Sequence, residues 1–236
     1  MAKKISSDVM VLLDGYDLGT AGISTRVSLA SVPLDPTVLG DAAERVIGGQ
    51  RKDTFEYSGL FDDDAASVNA AAGALLGSAA KLATLALGTA IGNLAYTGTC
   101  FLLKAALPAR IGELVKFEVN LVADQSMERG KLATTGKNTI LASGTGTTGT
   151  GDNSAASVNG GNFYIHQLSQ SVGTVQYGLQ HSSDGTTWVE KVRVVGGTGR
   201  NWGGTAFTGT LNRYTRITGT GGTSGTASYA AIIVRS

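Results

Sequence analysis

Val115, Phe117, Val119 and Leu121 alternate with Lys116, Glu118 and Asn120, and this strict period of two constrains the fold more than any other stretch of the chain. Successive side chains of an extended backbone point to opposite faces. The segment therefore predicts an antiparallel strand with one face on a core and the other in water, entered through Pro108 and Gly112. The period recurs from Thr54, where Phe55, Tyr57 and Phe61 fall on one side and Thr54, Glu56 and Ser58 on the other, with Gly59 leaving a gap in the aromatic row. Val9, Val11 and Leu13 run into the turn Asp14-Gly15, and Val27 and Leu29 alternate with Arg26 and Ser28. Residues 81–87 and 96–104 are apolar on both parities, which predicts strands buried on two faces.

The other signals agree with an all-β chain. There are 34 glycines and 3 prolines among 236 residues, and turn signals separate short apolar runs near 162–168, 173–181, 188–195, 205–210, 213–218 and 228–234. Spacing of this kind is the pattern of a β-sandwich. Pro33 and Pro36 cannot donate to a ladder, so residues 31–38 are expected to leave the sheet. One helix is expected. Asp62, Asp63 and Asp64 place negative charge where a helix N-terminus favours it, ahead of Val68, Ala72, Leu75 and Leu76 at helical spacing. The fold class predicted is all-β with one short flanking helix: a sandwich or barrel over residues 1–140, a Gly/Ser/Thr-rich linker over 141–161, and a second β-sandwich over 162–236.

Charge and composition exclude several functions. The formal net charge is +1, which predicts neither a nucleic-acid nor a membrane-surface partner. Residues 1–135 hold 12 Lys/Arg against 15 Asp/Glu, and residues 136–236 hold 7 against 3. Cys100 is a lone cysteine between Thr99 and Phe101, expected to be a small buried hydrophobe. The apolar run Val9 to Leu13 meets Asp14 at once, so no signal peptide is expected. Gly77, Ser78 and Lys81 interrupt the most apolar segment, far short of the roughly 20 residues of a membrane helix.

No motif predicts catalysis. Gly144, Gly146 and Gly149 match G-x-G-x-x-G in letters, but neither a strand before them nor a helix after them is predicted. The aspartates 62–64 lack calcium-loop spacing, and His166 and His181 each lack a second ligand at metal spacing. A non-enzymatic chain without cofactor or metal is expected. The stretch from Leu39 to Lys52 carries both signs of charge around Gly48-Gly49 and can dock against another copy of itself. Trp188, Trp202, Tyr164, Tyr177 and Tyr214 could form a sugar platform, core packing being the competing reading; Trp202, beside Asn201 and Gly203-Gly204, is the one expected to be exposed as a glycan contact.

Residues 8–131 resemble the tail tube (major tail) proteins of long-tailed bacteriophages. The resemblance lies in Asp17-Leu18, Arg26 to Leu29, Leu39-Gly40-Asp41 with Glu44, Gly49 to Lys52, Thr54 to Asp63, the run Gly112 to Phe117 and the Met127 to Gly130 turn. It implies subunits that form hexameric rings, rings that stack into a tube conducting DNA, and a location in the virion tail after synthesis in the host bacterial cytoplasm. It further implies other tail proteins as partners, and inner sheets that join around the channel without sequence-specific DNA contact. Asp41, Glu44, Arg45, Gln50, Arg51 and Lys52 then reach neighbouring subunits or rings. The acidic excess of the first half would suit the lumen, since like charge repels phosphate.

The second half extends beyond the minimal tube proteins. Tyr177, Ser182, Asp184-Gly185 and Trp188, with Arg213-Tyr214-Thr215-Arg216-Ile217, are similar to the hairpin and following strand of discoidin-like sandwiches, modules that often bind sugars or lipids. This implies a domain decorating the outside of the tube, so that truncation after Lys137 is expected to leave assembly intact. A carbohydrate-binding or capsid-decorating module and a ring-forming tail terminator are the alternative functions.

Overall fold

In a computed structural model, the structure describes residues 9–19, 21–34, 47–61, 79–141, 145–171, 174–221 and 226–236. The expected helix after Asp62 lies outside these residues, and so do Asp41, Glu44 and Arg45. Every regular element described is a strand. In the first half they are β1 (Met10–Leu13), β2 (Tyr16–Asp17), β3 (Gly22–Ser28), β4 (Ser31–Leu34), β5 (Ile47–Arg51), β6 (Thr54–Leu60), β7 (Lys81–Ala86), β8 (Leu94–Ala106), β9 (Lys116–Ala123), β10 (Glu128–Leu132) and β11 (Asn138–Leu141). The second half adds β12 (Thr145–Thr147), β13 (Gly151–Asp152), β14 (Gly161–Gln170), β15 (Val175–Ser182), β16 (Val189–Val195), β17 (Asn201–Phe207), β18 (Tyr214–Gly221) and β19 (Thr226–Arg235). The all-β class is as the sequence predicts.

The strands form a 12-stranded sheet with the path β17-β14-β19-β10-β8-β7-β1-β2, a five-stranded sheet and the two-stranded β4-β5 sheet. A branch leaves the large sheet at β8. This strand pairs β7 and β10 through its first half, then pairs β9 from Cys100 to Ala106, with a register shift between Leu102 and Lys104. Such a shift bends a strand and increases its twist, so one continuous strand passes from one layer into the other. β9 then pairs β6, and β6 pairs β3, giving an antiparallel ribbon β3-β6-β9-β8 that lies over β1 and β7.

The first core fills the space between these layers. Val11, Leu13 and Leu85 meet Phe55, Tyr57, Phe117, Val119 and Leu121 there, the inward rows that the period of two places on one face. Gly59 continues the row because a Cβ there would lie 2.3 Å from the Tyr57 hydroxyl and 2.7 Å from the Ala21 carbonyl oxygen. Cys100 is buried in the same core, and burial pushes its thiol up to about 12. The second core lies between β14 and β19 on one side and β15 and β18 on the other, with the Tyr177 and Tyr229 rings 4.8 Å apart.

A third cluster joins the halves. Met10, Leu12, Ala86, Ala95 and Leu132 of the first half pack on Leu168, Ala230 and Ile232 of the second. β19 pairs β10 and β11 along one edge and β14 along the other, so the large sheet is built from both halves. Within residues 141–161, expected to be a linker, β12 and β13 both pair β18 in the five-stranded sheet. Likewise, residues 31–34 leave the large sheet as expected but pair with β5, the register shifting around Pro33.

Candidate assembly surface

The ribbon β3-β6-β9-β8 has two open sides. Among the described residues, β3 pairs only β6, and β8 beyond Cys100 pairs only β9. Open edges present rows of unpaired N–H and C=O groups that template pairing with another chain. Because neighbouring strands in the ribbon alternate in direction, β3 and β8 run oppositely. A β3 edge set against the β8 edge of another copy therefore continues the antiparallel order.

The face of the ribbon turned away from the core is polar. Registers place Arg26, Glu56, Asn120 and Lys104 in one row across all four strands, and Ser24, Ser58, Glu118 and Ala106 in the next. These residues line a shallow groove of about 410 Å³. With Lys116 the face carries three basic and two acidic side chains, so the acidic excess of the first 135 residues is not located here.

The β4-β5 arm leaves this ribbon between Ala30 and Asp53, and its base is clamped. Asp53 is fully buried. Its carboxylate accepts from the Arg51 guanidinium at 2.6 Å, the Met127 amide at 2.8 Å and the Ala30 amide at 3.2 Å. Arg51 also donates to the Met127 carbonyl, and the Lys52 amide donates to the Ala30 carbonyl. Of the six residues expected to reach neighbours, Gln50, Arg51 and Lys52 are exposed, and the guanidinium of Arg51 is turned onto Asp53 at the base of its own arm. Sequence reasoning missed Asp53. The signal was present: Asp53 shares the parity of Phe55 and Tyr57, and a carboxylate in an inward row needs donors around it.

Exposed apolar side chains gather on the same half. The connection between β8 and β9 carries Leu107, Ile111, Leu114 and Val115, with Ile111 fully exposed, and Leu103 and Ile23 stand exposed on the two open strands. Tyr57 occupies the inner wall beside β3. Its hydroxyl donates to the Leu18 carbonyl at 2.8 Å, and burial, helped by the charge of Asp17, pushes the phenol up to about 12.

The aromatic residues of the second half do not converge on one platform. Tyr177 is fully buried and donates to Gln167 at 2.9 Å. Tyr164 donates to Glu128 at 2.8 Å across the junction of the halves. Trp188 lies under the Arg216 guanidinium, 4.2 Å from its ring centroid, and Tyr214 under that of Arg213 at 4.9 Å. Trp202 is half-buried on β17 of the large sheet, whereas Tyr214 lies on β18 of the five-stranded one and Trp188 just before β16. His166 is fully buried with Nε2 2.8 Å from the Thr84 hydroxyl, while His181 Nδ1 accepts from the Asn212 amide. No cluster of metal-ligating side chains occurs among the described residues.

No family model and no curated protein matches the chain. Among solved structures, the tail of an empty gene transfer agent particle with C6 symmetry is similar at 16% identity and a TM-score of 0.44, over 53% of this chain and 97% of that one. The Dit protein of phage SPP1, described as a hub adsorption apparatus of phages infecting Gram-positive hosts, is similar at 11% identity and 0.37, over 94% and 98%. A chain of the phage p2 baseplate follows at 8% identity and 0.34, over 97% and 98%. Each of these TM-scores lies below 0.5.

Proposed function

We propose that this chain is a structural, non-enzymatic subunit of a phage-type tail whose copies join edge to edge into rings. The observation that carries the reading is the ribbon β3-β6-β9-β8, open on both sides, with edges of opposite direction. A contact between two different patches repeats head to tail and closes into a ring when the rotation per copy permits. The sequence resemblance of residues 8–131 to tail tube proteins implies rings of six and their stacking into a tube that conducts DNA. On this reading the polar ribbon face lines the channel. Its interleaved charges, Arg26 and Lys104 beside Glu56 and Glu118, leave no single-sign surface to hold a phosphate backbone. The β4-β5 arm, anchored at Asp53, reaches neighbouring subunits or rings, and the five-stranded sheet lies on the outside.

Negative-stain electron microscopy of the purified full chain tests this. Long tubes with an axial channel are the expected result. Single rings that do not stack would favour a tail terminator, and a protein monomeric at every concentration would overturn the assembly reading in favour of a decorating or carbohydrate-binding module.

A further inference from the structure

Two features of the first half belong to opposite sides of the ribbon but to the same end of it. The Gly22 end of β3, the Gly59 end of β6, Phe117 of β9 and Ala106 of β8 lie together, as the registers require. At that end, on the β8 side, the connection from Leu107 to Val115 projects with its apolar side chains in water: Ile111 is fully exposed, Leu114 72% and Leu107 53%. On the β3 side a groove of about 320 Å³ opens between β3 and the layer beneath, lined by Val9, Val11, Gly22, Ile23, Leu85 and Leu87. One chain thus carries an apolar projection and an apolar groove that it cannot bring together by itself.

We propose that the Leu107–Val115 connection of one copy seats in the groove beside β3 of the next copy, locking the edge junction; this rests on the ring reading above. Charge fixes the register of the junction. If the rows simply continued from β8 into the next β3, Lys104 would stand opposite Arg26, and like charges directly opposite are destabilising. Sliding by two residues keeps every side chain on its own face. In one direction the slide places Lys104 opposite Ser28 and Leu107 opposite Thr25, a residue of the groove lining. Leu107 has the parity of Ala105, which pairs with the inward-facing Val119. It therefore points to the core side, where the groove lies.

The test uses the full chain, with assembly followed by sedimentation velocity and folding by thermal melting. Leu107→Asp/Ile111→Asp and, separately, Ile23→Asp are expected to keep the wild-type melt, since the altered side chains are more than half exposed, and to raise the concentration needed for assembly at least about tenfold. Cysteine pairs read the register directly. Leu107→Cys/Thr25→Cys should give a ladder of cross-linked copies under mild oxidation, and Ala105→Cys/Thr25→Cys, matched to the unshifted rows, should give far less. Wild-type chains that assemble while the aspartate variants assemble equally well, or a reversed preference between the cysteine pairs, would overturn the proposal and leave the ring reading standing. A wild-type chain that never assembles would remove both.

Discussion

Before residue 116 ten large apolar side chains stand exposed among the described residues, from Ile23 to Val115; after it there are three, Val158, Val189 and Val195. Both halves turn charges onto one another, Lys81 on Asp14 at 3.1 Å in the first and Arg213 on Asp152 at 2.6 Å and Arg193 on Glu190 at 2.7 Å in the second, which also folds Ser182 and Asp184 into a closed turn. Among the described residues, strand edges stay open in both halves, at β3 and β8 in the first and at β16 and β17 in the second, but the first half also leaves the apolar connection between β8 and β9 in water. Equal success in filling a core does not imply an equally finished surface. On the ring reading proposed above, the half with more exposed apolar surface is the one that meets other copies, and the other half faces solvent.

The largest effect should come from separating the halves. Removing everything after Lys137 strips β19 from β10 and takes Leu168, Ala230 and Ile232 out of the third cluster. Each fully buried aliphatic side chain contributes about 1.5–3 kcal/mol, and a domain holds only about 5–15 kcal/mol in total. The truncated chain is therefore expected to lose its cooperative melt, measured by circular dichroism, which reverses the expectation of a removable decoration. A cooperative melt in that fragment would mean that the first half is complete without β19. A point change at the same junction should act more gently. Gly15 has φ +77°, and a Cβ there would sit 2.6 Å from the Gln167 carbonyl oxygen and 2.9 Å from the backbone of Asn201. Gly15→Ala should destabilise the whole chain by about 1–3 kcal/mol, in one transition rather than two.

Next in size is the clamp. Asp53→Ala leaves the Met127 and Ala30 amides without their acceptor, at a cost of about 1–3 kcal/mol for a buried donor left unpaired. The expected readout is a lowered melting temperature together with loss of assembly, because the arm loses its anchor. Arg51→Ala, whose side chain is half exposed, should lower the melt less and still weaken assembly. A clamp that served stability alone would leave the assembly of that variant unchanged.

The junction also sets a pH dependence. Burial holds the His166 imidazole at about 3 in the folded chain, against about 6.5 when unfolded. Between these values the unfolded chain binds the extra proton, so stability falls as pH drops from about 6.5 towards 3, by up to about 1.4 kcal/mol per pH unit. His166→Gln removes that titration and should flatten the slope by one proton, as denaturant titrations across this range would measure. An unchanged slope would show that His166 is reached by water.

These sites also mark how far the sequence could be read. β6 and β9 were legible because each has one buried and one exposed face, which writes a period of two into the residues. β1 and β19 were also expected as strands, near 9–13 and 228–234, but every side chain of β1 is buried and so is a run of six in β19, and nothing local tells β19 that its partners are β10 and β14. β12 and β13 were hidden for another reason. Threonine and glycine pair through the backbone, so a segment that reads as linker can still extend a sheet. Of the candidate contacts, Arg51 was correctly seen as charged but not as already held by Asp53, because the ligand of a guanidinium is set by tertiary packing. Trp202 was expected to stand exposed beside its glycines, yet the antiparallel pairing of β17 with β14 half-buries it.

The smallest effects give the sharpest contrast, since they pair one residue from each half. Ile111 is fully exposed, so Ile111→Ala removes no buried surface and should leave the melting temperature within error while weakening assembly. Trp202 is half-buried, and Trp202→Ala should lower stability by roughly 1–2 kcal/mol, part of the transfer free energy of a large side chain, while leaving assembly as it is. Measured side by side, the two variants separate what each half contributes: a change felt only between copies, and a change felt only within one. If Trp202→Ala disrupted assembly as strongly as Ile111→Ala, the second half would be part of the ring contact, and the division between an associating half and a solvent-facing half would fail.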